Sequence, residues 1–156
     1  MSDTKNVRID VQDGESFTML LLNTLNEYPD LMEGEKIVFG DSSHNSGLAM
    51  YPIAGALVLS ETQDVLGMID SSRQYPFTIV YKVAQGSANL AISIKDFLDN
   101  MGKWLERQDL SRKVSEEITI NDIKRQTVAA LDSVEEDGTQ NWTVSISLNY
   151  TKRYSD

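Results

Sequence analysis

From Trp142 to Thr151 the chain alternates without a break, Trp142, Val144, Ile146, Leu148 and Tyr150 against Thr143, Ser145, Ser147, Asn149 and Thr151. Successive side chains of a strand point to opposite faces, so the pattern is that of a long strand with one face on a core and the other toward solvent. Such a strand needs a sheet to join and a hydrophobic layer to cover its inner face. Ile118 and Ile120 open a second extended stretch that runs through Ala129 and Leu131. Between the two, Glu135-Glu136-Asp137-Gly138-Thr139 has turn chemistry, with Gly138 able to take a positive φ. The expectation is a long C-terminal antiparallel hairpin.

The rest of the chain supplies the sheet and its cover. From Tyr75 the residues Phe77, Ile79, Tyr81 and Val83 alternate with Thr78, Val80 and Lys82, a strand whose Pro76 is tolerable only near its start. Asp64 to Ile69 is expected to pair with it through the polar turn Asp70-Ser71-Ser72-Arg73. Lys36 to Phe39, between Gly34 and Gly40, suits a short buried strand, and the apolar stretch Leu48 to Leu59 is either an irregular edge segment or two short strands divided at Pro52. Between Ser16 and Tyr28 the residues Phe17, Leu20, Leu21, Leu25 and Tyr28 share a helical face, capped by Asp13 or Ser16 and stopped by Pro29. Leu90, Ile94, Phe97, Leu98, Met101, Trp104 and Leu105 form the stripe of a longer helix, with Ser87 as its cap and Asp99–Lys103 as a favourable pair. The order predicts an α+β fold: an antiparallel or mixed sheet, two main helices packed on one face, and the C-terminal hairpin. It reads as a single domain over residues 1–156, with 1–12 a polar leader.

Composition narrows the function classes. Fourteen Lys and Arg against twenty-four Asp and Glu give a net charge of −10, which repels phosphate backbones and disfavours general nucleic-acid binding. With no cysteine there is no disulfide, thiolate metal site or Cys nucleophile. The N-terminal residues lack the apolar core of a secretion signal and no apolar run has the length to cross a bilayer, so a soluble, intracellular chain is expected.

Little catalytic chemistry can be assembled from what remains. His44, the single histidine, lies beside Asp41, Ser42 and Ser43, and a small intracellular hydrolase would use this loop as base, nucleophile and orienter. Neighbours in a loop rarely meet in triad geometry, and no Gly-x-Ser-x-Gly elbow accompanies them. Glu135-Glu136-Asp137-Gly138 lacks the alternating oxygen ligands of a calcium loop. The Gly86-Ser87 pair lacks the further glycines or lysine of a phosphate loop. The expectation is therefore no enzyme, no cofactor and no metal. A peptide-binding adaptor that pairs a ligand along an exposed strand is the other alternative. The polar, turn-rich loops Asp41–Gly47 and Glu135–Asn141 are the candidate assembly surfaces, with Ser43, His44, Asn45, Glu135, Glu136 and Asp137 as contact residues and Lys152 or Arg153 as partners for the glutamates.

Four segments, in this order, resemble a known family: Ser46-Gly47-Leu48-Ala49-Met50-Tyr51-Pro52; Gln74-Tyr75-Pro76-Phe77-Thr78-Ile79-Val80-Tyr81; Lys95-Asp96-Phe97-Leu98-Asp99 with Gly102-Lys103-Trp104-Leu105-Glu106; and Ala130-Leu131-Asp132-Ser133 through Asp137-Gly138 to Trp142. Over nearly its whole length the chain is similar to the minor capsid or tail-terminator proteins of tailed phages and prophages of Gram-positive bacteria. It departs from them at Val128-Ala129-Ala130, where a Thr-Pro-containing run is expected. The resemblance implies a non-enzymatic virion component at the neck, made in the host cytoplasm. It implies a homo-oligomeric ring, commonly a hexamer, that meets the tail tube and the head-connector proteins, binds no specific nucleic acid and no membrane, and whose acidic surface would let DNA pass without sticking.

Overall fold

In the computed structural model, which describes residues 8–31, 34–40, 47–84 and 88–155, with only the backbone of 88–91, eight strands form one sheet accompanied by two helices. In chain order these are β1 (Arg8–Asp10), α1 (Val11–Leu25), β2 (Val38–Phe39), β3 (Gly47–Pro52), β4 (Ala56–Gln63), β5 (Met68–Val83), α2 (Ala88–Glu106), a 3-10 turn at Ser111–Lys113, β6 (Ile118–Arg125), β7 (Ala130–Val134) and β8 (Gln140–Ser155). All pairings are antiparallel except β2 with β3. The fold is α+β.

Its spine is the pair β5 and β8, each 16 residues long and matched along its whole length from Met68↔Ser155 to Val83↔Gln140. Short strands flank the spine in two half-length arms on each side. On the outer edge of β5, β4 covers Ile69–Gln74 and β3 covers Phe77–Lys82, with β1 beyond β4 and β2 beyond β3. On the outer edge of β8, β6 pairs with Ile146–Lys152 and β7 with Gln140–Thr143.

The segment Asp70–Arg73 is strand, not turn, and the reversal falls earlier. Asp64 Oδ1 accepts the Leu66 and Met68 N–H groups at 2.9 and 3.0 Å, and Gly67 takes φ 90°. Pro76 therefore lies in the middle of β5. Its carbonyl accepts from Ile53 N–H at 3.0 Å, so its proton-less nitrogen faces the seam between the β3 and β4 arms, where no ladder carbonyl waits for a donor. The stretch Leu48–Leu59 resolves into β3 and β4, which part immediately after Pro52. Lys36–Phe39 contributes a strand of two residues whose side chains are exposed, with the buried anchor being Ile37 just before it.

The single extended stretch expected over Ile118–Leu131 is two strands, interrupted at residues 126–129, where Gln126 and Thr127 N–H both turn to Ser145 O of β8 at 2.7 and 3.4 Å and helix carboxylates hold the flanking backbone. Glu106 Oε2 accepts Arg125 N–H at 3.0 Å and Asp99 Oδ1 accepts Ala129 N–H at 2.7 Å. Asp99 is also bonded to Lys95 at 2.7 Å, in place of the expected Lys103. Helix α1 starts at Val11 rather than near Ser16. Asp10 is the cap, its Oδ1 accepting Asp13 N–H at 2.9 Å, and the region read as a polar leader already contains β1 and this first turn. Ser87 lies outside the described residues.

One hydrophobic cluster joins helices and sheet. Phe17, Leu21 and Leu25 of α1 and Ile94, Leu98, Met101 and Leu105 of α2 share it with Tyr75, Phe77 and Ile79 of β5 and Val144, Ile146, Leu148 and Tyr150 of β8. Trp104 is only partly buried, its ring 5.2 Å from Tyr28.

Candidate functional site

Two features stand apart from the core, and both gather at the β1 end of the sheet. The first is a buried ionic cluster. Arg73 has the same strand parity as Tyr75 and Phe77, so β5 points it inward, where an unpaired guanidinium would be costly. Its side chain is 2% exposed, and its Nη1 donates to Asp10 Oδ2 at 2.5 Å and Asp13 Oδ2 at 2.9 Å. Asp13, 7% exposed, also receives Tyr150 Oη–H at 2.7 Å and Lys152 Nζ at 3.1 Å. Glu61 on β4 accepts from Arg8, from Ser71 Oγ at 2.7 Å and from Tyr154 Oη at 2.6 Å.

The electrostatics follow from these contacts. The Arg8 hydrogen bond outweighs burial and, with Tyr154 and Ser71, pulls the Glu61 carboxyl down to about 2. Burial would raise Asp10, yet the Asp13 N–H and the Arg73 guanidinium together hold it below the ordinary carboxylate value. Burial, reinforced by the adjacent Asp13 carboxylate, pushes the Tyr150 phenol up. Three carboxylates face three cations here, leaving no surplus charge to recognise a ligand. The arrangement ties β1 and α1 to the spine.

The second feature is a notch in the sheet edge above the β3–β4 seam. It has a volume of about 540 Å³ and is lined by Ile9, Val11, Met19, Phe39, Pro52 and Tyr75 with Gly14 and Gly55, and by the polar Asp10, Glu15 and Thr18. Gly55 takes φ 73°, and a Cβ there would meet Ile9 Cγ2 at 3.3 Å. Tyr75 Oη, buried behind the wall, is bonded to Thr18 Oγ1 at 2.5 Å. Around the notch Ile9, Val11, Met19, Phe39 and Ile53 are exposed. At the opposite edge all five residues of β7 are exposed, and Leu131 and Val134 there, with Val128 just before them, form a second apolar strip.

The residues expected from sequence fall elsewhere. Ser43, His44 and Asn45, with the whole Asp41–His44 loop, lie outside the described residues. Glu135, Glu136 and Asp137 form the β7–β8 turn, closed by Glu135 N–H to Thr139 O at 2.8 Å and by Asp137 Oδ1 accepting Thr139 N–H at 2.9 Å. Glu135 lies 3.6 Å from Lys82 of its own chain. Lys152 points inward to Asp13, and exposed Arg153 lies 3.7 Å from Asp70. The turn and these two cations therefore sit at opposite ends of β8, and the chain already partners the glutamate and Lys152 internally. Among the described residues no group of three or more His, Asp or Glu is arranged to hold a metal ion, and no helix is long and apolar enough to cross a membrane.

Sequence reasoning gave Arg73 to a turn and Asp13 to a helix cap, and did not single out Met19. The signals were present: an arginine and a serine in inward register on β5, and a methionine lying off the Phe17–Leu21–Leu25 stripe of α1. No protein-family model matches the chain, and no curated protein matches it.

Proposed function

We propose that this protein is a non-enzymatic structural subunit that closes a ring of identical copies, in the tail-terminator or head-tail joining role at a phage neck. In this reading the two helices form one layer over one face of the sheet and β7 with β8 forms a C-terminal hairpin, leaving both sheet edges to neighbours. The observation that carries it is the distribution of exposed apolar side chains. Ile9, Val11, Met19, Phe39 and Ile53 gather at the β1–β2 edge, and Val128, Leu131 and Val134 at the β7 edge. A head-to-tail ring needs two unlike patches on each subunit, whereas a two-fold dimer needs one patch that fits itself. The surplus of carboxylates suits a lumen through which DNA passes. Sedimentation velocity with negative-stain imaging tests the proposal. Closed rings of one size that grow in population with concentration are expected, and a monomer at every concentration would remove the reading.

A further inference from the structure

Resting on that ring, the geometry points to a specific contact, and we infer that β7 of one copy seats Leu131 and Val134 in the notch beside β1 of the next, joining the two sheets edge to edge. The notch wall is mostly apolar, and of the two acids that line it Asp10 is held by Arg73 at 2.5 Å while Glu15 is exposed to solvent, so its interior favours an apolar occupant. What it accepts is a pair of aliphatic side chains carried on extended backbone. Among the described residues, β1 pairs only with β4 and β7 only with β8, so each keeps an outward row of backbone donors and acceptors outside the ladder. Such edges are templates for a further strand, and this chain has one beside the notch and one beneath exposed aliphatic residues. The remaining exposed aliphatics fit less well. Val65 and Leu66 sit at the tip of the β4–β5 turn and Ile92 sits on α2, none on a sheet edge, while Val38 lies on the edge strand β2 next to Phe39, which itself lines the notch, and so belongs to the receiving side. β7 thus matches the notch in side-chain chemistry and in backbone, and the two patches are unlike, as a head-to-tail contact requires.

The absence of cysteine makes this contact directly testable. Met19→Cys and Leu131→Cys are prepared separately, mixed, and oxidised with diamide, which takes up the two electrons and two protons released as the thiols join. The mixture is expected to give a covalent dimer that neither variant gives alone, and the double variant a ladder ending at the ring number. Val134→Asp, at the more exposed of the two side chains, is expected to weaken assembly at least about tenfold at a nearly unchanged urea midpoint. An apolar fluorescent dye should bind the monomer at the notch and be excluded from the ring. Rings that persist without the mixed crosslink would overturn the contact and leave the ring standing. Met19→Cys pairing with itself would overturn it in favour of a two-fold face, and equal dye binding by ring and monomer would show the notch unfilled. A protein that never assembles would fail the ring reading itself, before the contact is reached.

Discussion

Replacing Arg73 with Met should be the most damaging single change at the β1 end of the molecule. The side chain is 2% exposed and donates to two carboxylates, Asp10 and Asp13, at 2.5 and 2.9 Å. Methionine fills much of the volume but leaves both acids without their guanidinium, and removing one partner of a buried ion pair costs about 3–5 kcal/mol. Asp13 keeps Tyr150 Oη and Lys152 Nζ at 2.7 and 3.1 Å, and Asp10 is partly solvated, so the lower end, about 3 kcal/mol, applies. With a denaturant slope of about 2 kcal/mol per molar urea, the unfolding midpoint should fall by about 1.5 M with an unchanged slope. Combining Arg73→Met with Asp13→Leu should recover part of that loss, since an apolar pair in place of a buried ionic one is often neutral. A midpoint shift below about 0.3 M for Arg73→Met alone would refute the reasoning, for it would mean that the buried carboxylates do not depend on the guanidinium.

Three further outcomes are expected. Glu61 is depressed to about 2, chiefly by Arg8, so its stabilisation is present above the unfolded carboxylate value near 4.5 and is lost as pH falls toward 2; thermal melts from pH 5 to 2 should reveal a loss of about 1–2 kcal/mol, reduced by screening of the exposed Arg8 and smaller in Arg8→Gln, where only Tyr154 and Ser71 still hold the carboxylate. Trp104→Ala should cost about 2 kcal/mol in urea unfolding, less than a core tryptophan, because the indole is partly exposed and its main partner is Tyr28 at 5.2 Å. Added salt should favour ring closure in sedimentation, since Lys152 and Glu135 are engaged within their own chain and the net charge of −10 per copy leaves like-charge repulsion to be screened.

The strands legible in sequence were those whose neighbours in the chain share their fate. Trp142 to Tyr150 alternates because both its faces have constant environments, and Phe77, Ile79 and Tyr81 alternate for the same reason. Asp70-Ser71-Ser72-Arg73 has the composition of a turn, and becomes strand because Ser71 and Arg73 find Glu61, Asp10 and Asp13, partners at least ten positions away that no local window contains. The start of α1 was hidden likewise: Asp13 reads as a cap, but it is drawn to Arg73, and Asp10 caps instead. Pro76 misled because the rule against proline in an inner strand assumes a continuous neighbour, and the neighbour here is split in two. The notch follows from that split, so it could not be read before the strands were paired.

The full-length pairing of β5 with β8 has a consequence for how the chain reaches this state. Its rungs join residues from Val83 and Gln140 out to Met68 and Ser155, so every one of them waits on the closure of a long loop that contains all of α2. Folding should therefore be slow for a domain of this size, with the two central strands as the last-opening unit in amide exchange. The four flanking arms touch that unit through a few rungs each, and should exchange one by one, β7 earliest, without the centre coming apart. A subunit so built can rearrange an edge to meet a neighbour while the centre keeps its register.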